Sequence, residues 1–229
     1  MRQIKVKSIS QQIEITGNEA KHLIYSLRSK FGEKIAVIDP FGKRALMELV
    51  NFTKDKVIAQ MIKILPSRQE ETITLAVAIP KRGLDEIIRQ ATEIGILAFQ
   101  PLITNRSIVK PSESKQERWK RIAGEAAQQS GATEPIIKPV ITLEEFINQV
   151  TNQTIIFCNE NEHQRKLSNI ELTDDLTIVI GCEGGFSEHE IKLMENVGAI
   201  SVTLGENILR VDTAAILALS MIKFKQENL

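Results

Sequence analysis

Two stretches of the 229-residue sequence hold the residues best suited to chemistry. The first, Ile178-Val179-Ile180-Gly181-Cys182-Glu183-Gly184-Gly185-Phe186-Ser187, is an apolar run ending in a glycine-rich turn. Gly181, Gly184 and Gly185 allow backbone to approach a ligand closely, and a helix opening at Ser187 favours an anion or carboxylate at its N-terminus. A tight strand-to-helix turn accounts for the same glycines without a ligand. A dinucleotide site is disfavoured, because G-x-G-x-x-G is absent.

The second stretch, Leu204-Gly205-Glu206-Asn207-Ile208-Leu209-Arg210-Val211-Asp212-Thr213-Ala214-Ala215, again runs strand, glycine, loop, helix. Asp212 or Thr213 could cap that helix. Arg210, an obligate cation between Leu209 and Val211, needs a partner. His22 falls in the N-terminal region, His163 in a polar loop that reads as solvated, and His189 on a helix face turned to water. Cys158 and Cys182 lack metal-ligand spacing and read as reduced thiols; no ligand cluster is visible, so no metal is expected.

The elements that must position these residues fall into two grammars. Up to residue 65, alternation predicts strands over 34–39, 44–50 and 57–65, with Pro40-Phe41-Gly42-Lys43 turning between the first two. One helix interrupts them, with Asn18 as its expected N-cap and Ala20, Leu23, Ile24 and Leu27 at helical spacing. A small, mostly antiparallel β-barrel with one helix fits. The polar Pro66–Glu71 run marks a boundary, giving domains 1–68 and 72–229. Beyond it strands (73–79, 98–103, 154–158, 176–180, 201–204) alternate with helices (84–94, 115–130, 143–150, one capped by Ser187 and Glu190, and 213–225). That order implies an α/β domain with a largely parallel sheet covered on both faces. The last helix is apolar almost all round and needs burial on every side.

Net charge is zero, yet residues 1–70 carry 13 Lys/Arg against 7 Asp/Glu, and residues 71–229 carry 16 against 22. A basic module joined to an acidic one points the former at a polyanion. Neither a signal-peptide pattern nor an apolar run long enough to span a bilayer is seen, so a cytoplasmic protein with no membrane association is expected.

The pair IGCEGGFSEHE and LGENILRVDTAA resembles the signature loops of the SPOUT methyltransferases. More narrowly it is similar to the bacterial 16S rRNA uridine-N3 methyltransferase family. The likeness continues through LDEIIRQATEIG (84–95), PLITNRSIV (101–109) and RWKRIAGEAAQQSG (118–131), and HLIYSLRSKFGE (22–33) resembles that family's PUA-like RNA-binding domain. Cys182 stands where the family usually has Pro, Val211 and Asp212 replace the more usual Thr and Glu, and Ala132 takes the place of a common Arg.

The resemblance implies a C-terminal sheet tied in a deep trefoil knot whose loops bind S-adenosyl-L-methionine. It places that cofactor at Ile180, Gly181, Glu183, Gly184 and Gly185, then Leu204, Gly205, Ile208, Leu209 and Arg210, with Phe157-Cys158-Asn159-Glu160 as a third wall. It implies a homodimer acting on 16S rRNA of the small ribosomal subunit; the basic balance of the N-terminal region and the positions of Arg2, Lys21, His22, Arg28, Lys43 and Arg44 make these the expected RNA-gripping surface. Methylating uridine N3 leaves an anionic base to stabilise, a role for Arg210. Glu183 and Asp212 are candidate bases, Glu183 alternatively a loop holder. Two other readings stay open: a non-catalytic RNA-binding or ribosome-assembly factor, and a related knotted enzyme acting on tRNA.

Overall fold

The computed structural model describes residues 3–39, 43–65, 72–108, 111–150, 153–172 and 175–227. The expected turn at 40–42, the boundary run 66–71 and Arg2 lie outside them. The chain divides into two compact units, Met1–Glu70 and Glu71–Leu229.

In the first unit the strands are β1 (Gln3–Lys5), β2 (Gln12–Thr16), β3 (Lys34–Ile38), β4 (Arg44–Phe52) and β5 (Lys56–Leu65). They pair in the order β1-β3-β4-β5-β2, antiparallel except β1 on β3. Period-two alternation drives Ile13, Ile15, Ala45, Met47, Leu49, Val57 and Ala59 into one core with Ala20 and Leu23. Two register shifts in the β4–β5 ladder, at Leu46/Met47 and Leu49/Asn51, bend the sheet. No ladder joins β1 to β2 among the described residues, so the sheet is an open path.

The helix α1 (Gly17–Lys21) continues into a π-helical turn, His22–Ser26. Its N-cap is Thr16 in extended conformation, without a side-chain cap, so the expected Asn18 cap is corrected: Asn18 sits within the first turn. At the far end the Leu27 and Ser29 N–H groups donate to the His22 and Leu23 carbonyls (both 2.9 Å), and Arg28 between them takes φ +50°. This is the left-handed position where a helix usually ends in glycine.

The second unit runs β6 (Ile73–Ala78), α2 (Leu84–Ile94), β7 (Ala98–Ile103), α3 (Glu113–Ser130), β8 (Ile136–Ile137), β9 (Ile141–Thr142), α4 (Leu143–Gln149) and β10 (Thr154–Cys158). A 3₁₀ turn (Leu167–Asn169), β11 (Leu176–Ile180), α5 (Glu188–Asn196), β12 (Ile200–Val202) and α6 (Val211–Glu227) complete it. All ladders are parallel, in the order β12-β10-β11-β6-β7-β8 with β9 also on β7. Every residue of β6 is buried, as a central strand covered on both faces requires. Ile73, Leu75, Val77, Ile156, Ile178 and Ile180 face a core shared with α2, α3 and α6. Ala76, Leu102, Phe157 and Val179 face α4 and α5. The domain is therefore α/β with helices on both faces.

Two expectations about α6 change. It begins at Val211, which puts Asp212 in the first turn and leaves neither Asp212 nor Thr213 as the cap. Ala215, Ala218, Leu219 and Ile222 are buried, but Thr213, Leu217, Ser220 and Phe224 stay exposed at helical spacing, Phe224 by 70%. Within one chain, burial on every side is not achieved. No described helix is long and apolar enough to cross a membrane.

Candidate active site

In an open parallel sheet the strand ends leave a crevice at their carboxyl edge where neighbouring connections diverge. Here the adjacent strands β12, β10 and β11 end in such a cleft, about 350 Å³ in volume. Its walls are 158–161 with His163, the loop 180–186, and the segment 203–212. Cys158, Ile180, Gly181, Glu183, Gly185, Leu204, Gly205, Ile208, Leu209 and Arg210 all line it. Gly184 does not. Its carbonyl accepts from the Arg106 guanidinium, and a Cβ there would meet Arg106 Cδ at 3.1 Å, on the far side of the loop.

Each wall is fixed by a distinct device. Gly181 packs so closely that an added Cβ would stand 3.2 Å from both Gly185 Cα and Phe186 Cε2. Gly185 adopts φ +66°, and its N–H donates to the Cys182 carbonyl (2.9 Å). The Cys182 thiol is buried, 3.9 Å from Thr104 Oγ1 and from the Gly185 carbonyl, and this residue, which departs from the family's Pro, also lines the cleft. Glu183 Oε1 accepts from the Lys81 N–H at 2.8 Å, tying the loop to the segment after β6. Glu190, 1% exposed, does more than close its helix cap: it accepts from Ser187 N (2.8 Å) and Ser187 Oγ (2.9 Å), and from Asn105 N (2.7 Å) beyond β7.

The last loop is held at its root. Thr203 Oγ1 donates to the Gly205 carbonyl (3.0 Å) and accepts from the Gly205 N–H (3.2 Å), while Thr203 pairs through its backbone with Arg165 and Leu167. Arg210 is 87% exposed and meets Asp212 at 3.6 Å; water solvates it, so the partner expected from its apolar neighbours is not required. Asp212 Oδ1 also accepts from Thr213 N (2.9 Å). In the third wall Asn159 anchors by Nδ2 to Ser201 Oγ (3.2 Å). Burial pushes the Cys158 thiol up to about 12, so it stays neutral and serves as wall.

The cleft is more charged than its glycines suggest. Glu160, Glu183, Glu206 and Asp212 oppose Arg82 and Arg210, an excess of two negative charges. Arg82, Glu206 and His163 escape sequence reasoning, because nothing local marks a residue as facing a cleft. Arg106 and the second bond of Glu190 escape it for the same reason, although Asn105-Arg106 directly follow a buried strand, where such anchors belong. Among the described residues no group of three or more His, Cys, Asp or Glu could hold a metal.

The basic residues of the first unit are placed individually. Lys21, His22, Arg28 and Lys43 are exposed. Arg44 is half-buried, its Nε out of solvent, and so is less available than expected. Glu19, beside His22, is raised above the usual carboxylate range by burial, with His22 and Lys5 partly offsetting the rise.

A crevice at the carboxyl ends of a parallel sheet, lined by two glycine-bearing loops, is where an α/β domain of this kind binds its ligand. Residues 67–223 match the RNA methyltransferase domain family. Ribosomal RNA small subunit methyltransferase E of Synechocystis is 35% identical over 96% of this chain and 75% of its own length. The Bacillus subtilis protein of that name is 31% identical over 100% and 98%. The crystal structure of that enzyme from Neisseria gonorrhoeae bound to S-adenosyl methionine superimposes with a TM-score of 0.85 at 28% identity, covering 98% of both chains. The chain belongs to the ribosomal RNA small subunit methyltransferase E family.

Proposed function

We propose that this chain transfers the methyl group of S-adenosyl-L-methionine to N3 of one uridine in the 16S rRNA of the small ribosomal subunit, in the cytoplasm. The observation that carries the reading is the cleft: both signature loops converge on it, in a family whose Neisseria member was crystallised with that cofactor. Its chemistry fits. Closely packed Gly181 and Gly185 leave room at the backbone, and four carboxylates against two arginines suit a sulfonium with a protonated amine.

The bound cofactor supplies an electrophilic methyl group. This chain contributes position and charge. Glu183 holds the loop against Lys81 through Oε1, a bond that supports the loop-holding role over that of base. Arg210, exposed at the mouth and only loosely paired with Asp212, can turn to the uridine oxygens as N3 loses its proton and negative charge develops. Three further parts of the reading follow from the family likeness. The C-terminal sheet is tied in a trefoil knot, the first unit is a PUA-like RNA-binding domain, and the exposed Leu217 and Phe224 stripe pairs two copies into a homodimer.

The test is methyl transfer from labelled cofactor to purified small subunits by wild type and Arg210→Ala. Wild type should label one uridine at N3. The variant should lose about 10²-fold or more in turnover with cofactor affinity little changed. Normal turnover with weak cofactor binding would move Arg210 to the cofactor. No labelling by wild type would overturn the function.

A further inference from the structure

A second cleft, of about 240 Å³, opens beside the first and shares Pro80 and Arg82 with it. It lies wholly within the second unit, between the segment after β6 and the start of α3. Lys81, Arg82, Lys115 and Arg118 line it, against the single carboxylate of Asp85. That carboxylate is already answered, by Arg118 Nη2 at 2.6 Å and by Trp119 Nε1 at 3.1 Å. Four cations around one cleft stand out in a unit that carries 16 Lys/Arg against 22 Asp/Glu.

We propose that this cleft is an RNA phosphate groove that seats the backbone next to the target uridine. The inference rests on the proposed activity and adds a substrate-binding site to the catalytic unit itself. Three observations support it. The lining cations are exposed, so no internal packing role explains them. Asp85 pairs with Arg118 and leaves the other three lining cations without a carboxylate in the cleft. Arg82 borders both clefts, so a strand whose base enters the acidic cleft brings its flanking phosphates past it. The two clefts thus divide the work by charge: the acidic one suits a cationic cofactor, the basic one a polyanion.

The grooves are also joined mechanically. The Lys81 N–H is the donor to Glu183, so the backbone that presents Lys81 and Arg82 is the backbone that braces the cofactor loop. Arg82 and Lys81 are therefore substrate-positioning residues that touch RNA, and phosphate seated on them steadies the loop.

Arg82→Ala and Lys115→Ala test this in the full chain, with Lys192→Ala on α5 as a basic control outside the groove. Each groove variant should raise KM for small subunits about tenfold and weaken binding of protein-free 16S rRNA by a similar factor. The salt slope of binding should flatten by a little under one for each phosphate that the groove no longer engages. Melting temperature should equal that of wild type in both, calorimetric cofactor affinity should equal it in Lys115→Ala, whose residue lies outside the cofactor cleft, and the control should change nothing. If wild type methylates subunits but both variants keep its KM and salt slope, the groove is wrong while the activity stands. If wild type transfers no methyl group, the activity is wrong. An effect on intact subunits without one on protein-free rRNA would mean that the cleft meets ribosomal protein, and would overturn the proposal.

Discussion

Replacing Glu190 by alanine should destabilise the second unit by about 3 kcal/mol. Its carboxylate accepts three bonds, from Asn105 N (2.7 Å), Ser187 N (2.8 Å) and Ser187 Oγ (2.9 Å), on a residue that is 1% exposed. Hydrogen bonds to a charged group contribute roughly 1.5–3 kcal/mol each, so the gross loss of three is about 4.5–9 kcal/mol. Two effects reduce it. Asn105 is exposed, so water replaces part of its bond, and removing a buried carboxylate restores the desolvation free energy it had lost. A net of about 3 kcal/mol remains, which for a unit of this size lowers Tm by roughly 6–12 °C. Because Glu190 ties the turn after β7 to the helix that follows the glycine loop, cofactor binding should weaken at least about tenfold as well. Calorimetric melting and cofactor titration measure both, with Glu190→Gln expected to fall between because it keeps shape and one acceptor. A Glu190→Ala protein within about 1 kcal/mol of wild type, with unchanged cofactor affinity, would show that packing alone holds these loops.

Gly181→Ala should abolish cofactor binding, measured by titration, while lowering Tm only modestly, because its Cβ would press on Gly185 Cα and Phe186 at 3.2 Å and open the loop. Cys158 should react with a thiol reagent at pH 8 about a thousandfold more slowly than an ordinary cysteine, since a thiol raised to about 12 has almost no thiolate there. By linkage, the neutral buried thiol contributes stability that is complete below its unfolded value and declines as pH rises beyond it, so the unit should lose stability above about pH 9. Leu217→Glu with Phe224→Glu should convert the proposed dimer to a 25.7 kDa monomer by light scattering.

The α/β alternation is legible in the sequence because buried parallel strands are nearly continuous apolar runs. The expected ranges for β7, α2, β10 and β11 coincide with the observed ones. Short pieces are not legible: β1, β8 and β9 have only two or three residues and no periodicity to display. The first helix starts earlier than its composition suggests, because Asn18 has the right capping chemistry but Thr16 has the extended backbone. At the cleft, glycines and Arg210 are readable since their types imply constraint. Adjacent glycines look alike in sequence, yet Gly185 lines the cleft while the Gly184 carbonyl accepts from Arg106. The bonds Arg106–Gly184, Lys81–Glu183 and Asn105–Glu190 span 78, 102 and 85 positions, and local pattern holds no trace of them.

Methylation of uridine N3 in 16S rRNA is tested most directly by nucleoside mass spectrometry of that RNA. The RNA is taken from cells with the gene, without it, and complemented by the Arg210→Ala form. One N3-methyluridine should disappear on deletion, return with the wild-type gene and stay largely absent with the variant. The same modification at full level in the deletion strain would contradict the proposed activity.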